Sequence, residues 1–358
     1  MPSIKPLLRV GLACAISLAA ADAAFAQQFA GQTVNVIVNF SAGGPTDVEA
    51  RVVARHLPKY LSGVAGVVVR NVGGGGGNIG VNQLGEPSAR DRLNLGFFTW
   101  NPLNQIIGEP TLRVRYNDLK FIAGMRQTSL IYIRRDTAPG VGKSADVAKA
   151  RLFRLGVMGP SNITTLRVRL ALDLLGAKYE IIQGYKGLRD IDTAMLQGDI
   201  QASTNSLPGY FTFAKPNMVE KGIVIPLLQF DRADVSLGRS PNLPDVPTFY
   251  EVYKEVWGKD SVPSGEKWQA LRLLTQLVDT MYRTAFMPPN APPAAVEEMR
   301  AAFESLGKDA EFIAQYEKVV LTRPHFIVGG EGERVVAELV NIQPALVSFL
   351  RKYIEAAQ

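Results

Sequence analysis

Cysteine is almost missing from this chain. A single thiol, Cys14, stands among 358 residues, inside an apolar stretch near the N-terminus. If that stretch is removed, disulfides, thiolate nucleophiles and thiolate metal ligands go with it. Histidine is nearly as scarce, with only His56 and His325. The two lie far apart and form no H-x-x-x-H pair, so the usual zinc spacing is absent. A clustered basic stripe is lacking too. The formal net charge is +6, but the lysines and arginines are scattered, which argues against a nucleic-acid partner and leaves only a mild preference for anions. Beyond the N-terminus no run approaches the ~18 to 20 apolar residues needed to cross a bilayer. Acidic pairs such as Asp190 with Asp192, and Glu297 with Glu298, read as solvated helix surface. The nearest approach to a nucleophile elbow, Gly159-Pro160-Ser161-Asn162-Ile163, lacks its second glycine. The parts of an enzyme are therefore wanting, and no cofactor or metal is expected.

What is present begins with an export leader. Lys5 and Arg9 precede an apolar stretch over 12–21, and Ala24-Phe25-Ala26 before Gln27 fits the small-x-small cleavage rule. Residues 1–26 are read as a cleaved signal peptide, which would export the mature chain. A lipoprotein reading of Cys14 is weaker, because Gly11 stands where a leucine is wanted three positions upstream.

The mature chain opens on its most informative stretch. Thr33-Val34-Asn35-Val36-Ile37-Val38-Asn39-Phe40 alternates and is β-branched, as a strand requires. It runs into Ser41-Ala42-Gly43-Gly44-Pro45-Thr46 and then a helix, with Thr46 and Glu49 spaced as a capping box. Such a junction aims backbone N–H groups outward at the positive end of a helix dipole, which suits an anion. A second strand at 67–69 completes a βαβ unit, and with it a mostly parallel sheet.

The glycine run 73–80 contains the string G-x-G-x-x-G at Gly75, Gly77 and Gly80. A dinucleotide site would want an acid about 20 residues on, where Phe97-Phe98-Thr99-Trp100 stand instead. A turn that lets a helix or two lobes pack closely is the better reading. Gly142-Lys143-Ser144 is no phosphate loop, since Thr137 occupies the place of its first glycine; Ser144 reads as a helix cap.

From Phe153 the opening pattern recurs. A strand leads into Gly159-Pro160-Ser161-Asn162 and then a helix with Ile163, Leu166, Leu170 and Leu174 on one face. Ser161 or Asn162 would cap it, and Gly176 would stop it. Further strands are expected at 179–183, 200–204 and 223–230, and a helix at 190–197. The proline-punctuated segment 239–248 is a loop or linker. The Trp268, Leu271, Leu274, Val278, Met281 stripe reads as a core-facing helix, and helices follow at 294–306, 311–319 and 333–353, the last interrupted at Pro344.

Two helix N-termini facing each other could hold a carboxylate without an arginine. A hydrogen bond to a charged group contributes ~1.5 to 3 kcal/mol net, and a helix N-terminus adds ~0.3 to 1. Together these offset the several kcal/mol of hydration that a buried carboxylate loses.

Phe40-Ser41-Ala42-Gly43-Gly44-Pro45-Thr46-Asp47, followed by Arg51, resembles the first signature of the Bug family, the periplasmic substrate-binding receptors of tripartite tricarboxylate transporters. Asn71 with the following glycines, Tyr185-Lys186-Gly187, Leu196-Gln197-Gly198-Asp199, and the run from Arg239-Ser240-Pro241 through Pro247-Thr248 to Glu251 are similar to its later motifs. The resemblance implies a two-lobed α/β fold of the type II periplasmic-binding-protein kind. Each lobe would be a mostly parallel sheet flanked by helices, with the ligand in the interlobe cleft. Residues 27–126 plus 229–358 would form one lobe and 127–228 the other. The implied ligand is a small organic carboxylate and the implied partners are membrane transporter subunits, with a monomer expected. By position, Phe40, Ser41, Ala42, Gly43, Gly44, Thr46 and Asp47 would meet the ligand from one lobe and Gly159, Pro160, Ser161 and Asn162 from the other. Thr99, Trp100, Asn101, Tyr185, Thr204 and Asn205 would line the remainder.

The sequence departs from the family in three places. Ala89-Arg90-Asp91-Arg92-Leu93 replaces the usual D-G-Y-T-L, Thr204 stands where many members carry an acid, and 252–285 is extended. Alternatives of other kinds are a receptor that presents its ligand to a membrane sensor, and an exported enzyme using the 75–80 loop for a nucleotide.

Overall fold

The computed structural model describes residues 28–86, 93–230 and 238–356. The leader read over 1–26 and the departure at Ala89-Arg90-Asp91-Arg92 lie outside the described residues. In chain order the strands are β1 (Thr33–Val38), β2 (Gly66–Asn71), β3 (Leu95–Thr99), β4 (Lys120–Met125), β5 (Ser129–Arg134), β6 (Phe153–Gly156), β7 (Tyr179–Ile182), β8 (Ala202–Ser206), β9 (Val224–Gln229), β10 (Arg283–Met287) and β11 (Phe326–Val328). They form two sheets, ordered β11-β4-β10-β3-β1-β2 and β7-β6-β8-β5-β9.

The opening strand behaves as its alternation predicts. Val34, Val36 and Val38 enter one core and Ile37 another, while Asn35 donates to Asn94 at 3.1 Å. β1 pairs in parallel with both β2 and β3, and β6 does so with β7 and β8. In each sheet four strands run the same way, as expected of mostly parallel sheets. The exceptions are β10 and β11 in the first sheet and β5 in the second, which pair antiparallel with their neighbours. β5 and β10 follow connections from the other sheet and enter from the opposite end. β4, β10 and β11 escape the sequence reading, because short apolar runs such as Phe121-Ile122-Ala123 carry no periodicity of their own.

The chain passes from the first sheet to the second through Arg126-Gln127-Thr128, between β4 and β5, and returns after β9. Backbone bonds tie these passages down: Arg126 N–H to His325 O at 3.3 Å, and Phe230 N–H to Ser129 O at 2.9 Å.

Two helices of the extended segment, Phe249–Trp257 and Gly265–Thr280, reach back onto the second sheet's helices. The Trp257 indole donates to Leu174 O at 2.9 Å, Lys267 pairs with Asp173 at 2.7 Å, and buried Arg167 pairs with Asp279 at 3.1 Å. Trp268 stacks on Phe249, and Leu271, Leu274, Val278 and Met281 are buried beneath it. That stripe is core, as its spacing predicts. The last helix, Pro344–Glu355, starts at the proline that interrupts the C-terminal pattern, with Pro at its first position as helix starts favour.

Candidate functional site

In open α/β sheets, ligands bind beyond the carboxyl ends of strands, where the order reverses. β1 lies between β2 and β3 in one sheet, and β6 between β7 and β8 in the other. Both reversals fall on the glycine-containing junctions singled out in the sequence.

At the first junction the chain leaves β1 through 39–44 into the helix Pro45–His56, with Gly44 as N-cap and Pro45 at the first position. The turn needs φ of +77° at Gly43, a left-handed value that other residues avoid. The capping box expected from Thr46 and Glu49 does not form. No side chain caps the helix; Asp47 in its first turn reaches back to the loop, its Oδ2 accepting from Gly43 N–H at 2.9 Å and from Arg51 Nε at 2.9 Å. Burial works to raise the pKa of Asp47, but Arg51, the Gly43 amide and Asn71 outweigh it and hold the carboxyl below its ordinary value. Asn71 also donates to Phe40 O at 3.0 Å, fixing the loop to β2.

Glu49 instead runs inward. Fully buried, it accepts from Arg283 Nε at 2.8 Å and Nη2 at 2.7 Å, from Tyr316 OH at 2.7 Å and from Gln127 Nε2 at 2.6 Å. Burial and the Glu49 charge keep the Tyr316 phenol well above its ordinary pKa. The opposite edge of Arg283 faces the site: its Nη1 donates to Thr99 Oγ1 at 2.8 Å, and Thr99 Oγ1 lies 2.7 Å from Thr46 Oγ1. Sequence reasoning missed Arg283 entirely. Its one signal is a charge at the head of a strand, Arg283-Thr284-Ala285-Phe286-Met287, in which every residue is buried.

The glycine run serves packing, as expected. A Cβ on Gly80 would stand 2.9 Å from Val72 O and 3.0 Å from Asn39 Cα, so the helix Asn78–Gly85 abuts the end of β1 only because Gly80 has no side chain. Asn39 in turn joins β1 to β3, donating to Thr99 O and accepting from Thr99 N–H.

At the second junction Asn162 caps the helix Ile163–Leu174, accepting from Thr164 N–H at 3.0 Å. The next free amide, Ile163 N–H, donates across to Asn101 Oδ1 at 3.0 Å, and Asn101 Nδ2 reaches Ser161 O at 3.4 Å. Two of this helix's first donors are thus already engaged. The loop after β1 approaches the second sheet elsewhere as well. Phe40 belongs to a buried cluster with Leu130, Tyr132, Met158 and Ile191, and Ser41 Oγ lies 2.7 Å from where a Cβ of Gly187, after β7, would stand. Ser41, Gly159, Pro160, Ser161 and Tyr185 are half-buried here, and Ala42 and Gly43 are exposed.

The remaining sequence candidates lie deeper. Trp100 is buried, edge-on to Tyr116. Thr204 Oγ1 donates to Leu130 O at 2.8 Å. Asn205 donates to Asp192 Oδ2 at 2.9 Å, and Tyr132 OH donates to the other oxygen of that carboxyl. Asp192 is therefore no solvated helix residue, as its neighbour Asp190 is; the helix Leu188–Gln197 turns it into the sheet. Burial raises its pKa to about 7, against the lowering effects of Tyr132, Arg189 and Asn205.

No protein-family model matches the chain. A curated relative, the "UPF0065 protein in the TAR-I ttuE-ttuC' intergenic region" of Agrobacterium vitis, is 26% identical over 305 residues, covering 80% of this chain and 82% of that protein. Among solved structures, the chain is similar to the periplasmic binding protein BugD, with TM-score 0.65 and 20% identity over 90% of this chain and 97% of that one. It is also similar to Rpa4515 of R. palustris with adipate (TM-score 0.65, 19% identity, 91% and 97% covered) and to MatC of Rhodopseudomonas palustris with bound malate (0.62, 18%, 90% and 98%). The resemblance drawn from the sequence motifs is thereby borne out at the level of the fold, which is the two-lobed α/β fold of periplasmic binding proteins.

Proposed function

We propose that this chain is a Bug-type extracytoplasmic solute receptor, which binds a small organic carboxylate between its lobes and delivers it to a tripartite tricarboxylate-type membrane transporter. The sheet-bearing bodies are 27–126 with 229–358, and 127–228, and the helices of 249–280 reach across from the first to the second. One observation supports the reading: Asn101, in the loop after β3, bonds Ile163 N–H and Ser161 O of the second sheet's strand-to-helix junction, so the strand ends of the two sheets meet there. A ligand seated there touches both lobes, so its binding and lobe closure are one event. Ser41 and Ala42 would supply amides from one lobe, and Gly159, Pro160 and Ser161 would meet the ligand from the other. The malate and adipate held by two structural neighbours fit a site of this chemistry. Export to the periplasm and action as a monomer without catalysis belong to the same reading.

A thermal-shift screen tests it, because a ligand that binds only the folded state raises the melting temperature by mass action. One or more mono- or dicarboxylates should raise it, and nucleotides should not. A shift with a nucleotide and none with any carboxylate would overturn the proposal.

A further inference from the structure

The C-terminal helix, Pro344–Glu355, touches both bodies of the molecule. The turn Glu338–Val340 that leads to it packs on the helix Pro102–Ile107, as does the helix itself. Arg351 Nε donates to Ile107 O at 2.7 Å, one of the carbonyls that a helix's last turn leaves without an internal partner and to which a cation is drawn. Tyr353 meets the second body at the helix Ile163–Leu174. Its phenol donates to Asp173 Oδ2 at 2.8 Å, Arg169 Nη2 donates to Tyr353 O at 3.1 Å, and the Arg169 guanidinium lies 4.5 Å from the centre of the Tyr353 ring. Asp173 also accepts from Tyr179 OH and from Lys267 Nζ, each at 2.7 Å, so the anchor is itself fixed. Leu350 and Ile354 belong to the same buried cluster as Ile106, Ile107 and Leu170.

These are the two helices whose first ends Asn101 joins. It precedes Pro102 and accepts from Ile163 N–H, while Arg351 and Tyr353 join the pair at their last turns. Parting the lobes separates the two helices, and the C-terminal helix must then release one of them. We propose that Pro344–Glu355 is an interlobe clasp, which limits how far the lobes part when no ligand is bound. The helix Gly265–Thr280, tied to the second body by the buried Arg167–Asp279 pair, moves with that body and gives the clasp a second surface to hold. From Ile163 to Asp173 the helix runs about 15 Å, so the clasp stands back from the junction. It acts on the balance of open and closed arrangements and not through ligand contacts. The inference rests on the two-lobed fold and not on which ligand is carried.

The test is double electron–electron resonance on dialysed, ligand-free protein. Cys14→Ser removes the only thiol, and Arg70→Cys with Thr193→Cys then puts one spin label on an exposed residue of each body. This reference protein should give a single short-distance population. Tyr353→Ala on the same background should raise the share of longer distances about tenfold or more, the weight of one hydrogen bond to a charged acceptor. Arg351→Ala, which cuts the clasp on its other side, should do the same, and Ser348→Ala, at an exposed position of the same helix, should change nothing. Circular dichroism confirms that each variant is folded. Tyr353→Phe, which loses the Asp173 bond and keeps the ring over Arg169, carries the test if Tyr353→Ala does not fold. A folded Tyr353 or Arg351 variant with the reference distribution overturns the inference, as does a reference protein that already populates the longer distances. Neither result bears on whether a carboxylate binds, which the thermal screen decides.

Discussion

Asn101 caps a helix in the opposite lobe: its Oδ1 accepts the Ile163 amide proton at 3.0 Å, from a loop that belongs to the other sheet. A side chain that satisfies a helix's first amides is worth roughly 0.5 to 2 kcal/mol. Here that stabilisation is available only when the lobes are together, so it acts as a latch on the closed arrangement. Asn101→Ala should therefore lower stability by about 1 kcal/mol in urea unfolding and enlarge the radius of gyration in solution scattering. An unchanged radius would mean that the bond contributes nothing to closure.

Ser41 Oγ stands 2.7 Å from the place a Cβ on Gly187 would take, a close approach between loops of the two sheets. Gly187 has an extended backbone that any residue could adopt, so its small size matters here, not its conformational freedom. Gly187→Leu should wedge the lobes apart and weaken ligand binding at least tenfold, with little change in melting temperature. Equal affinity in the two proteins would place closure elsewhere.

Arg283 and Glu49 form a buried pair with side chains 1% and 0% exposed. Removing one member strands a charge, which costs about 3 to 5 kcal/mol. Arg283→Gln alone should be destabilised by that order in urea unfolding, and adding Glu49→Gln should restore most of the loss. If the second substitution restores nothing, the pair is not the source of the effect.

Asp192 gives a pH dependence of unusual sign for a carboxylate. Its folded value is about 7 against an ordinary 3.8, so between roughly pH 4 and 7 the folded state holds a proton that the unfolded state has lost. Its contribution to stability is full below that window and declines as pH rises through it. Asp192→Asn should flatten this part of the stability profile and raise the melting temperature at pH 8. An amide there can also donate to Asn205 Oδ1, which has no partner among the described residues. A profile of unchanged slope would show that another group carries the titration.

Much of this fold is written in local pattern. The alternation in β1, the cap and apolar face of the helix Ile163–Leu174 and the stripe from Trp268 to Met281 all follow from periodicity, and the glycine run declares close packing through its own composition. What local pattern could not reveal is long-range pairing. Glu49 looks like the end of a capping box until Arg283, Tyr316 and Gln127 arrive from distant segments, and Asp192 looks solvated until Tyr132 and Asn205 close over it. Both are decided by tertiary contacts more than 10 residues away in sequence. The candidate site was legible as two junctions, but not as the hydroxyl pair and guanidinium behind them.

The central claim is that a carboxylate sits against the Gly43-Gly44 turn. Gly44 has ordinary negative φ, so Gly44→Asp puts a negative charge at that turn without backbone strain. Isothermal titration of the wild type and of this variant with the carboxylate found in the thermal screen is the most direct measurement. The account predicts saturable binding to the wild type and its loss, by a hundredfold or more, in a variant that melts at nearly the same temperature. Undiminished binding to a folded Gly44→Asp would contradict it.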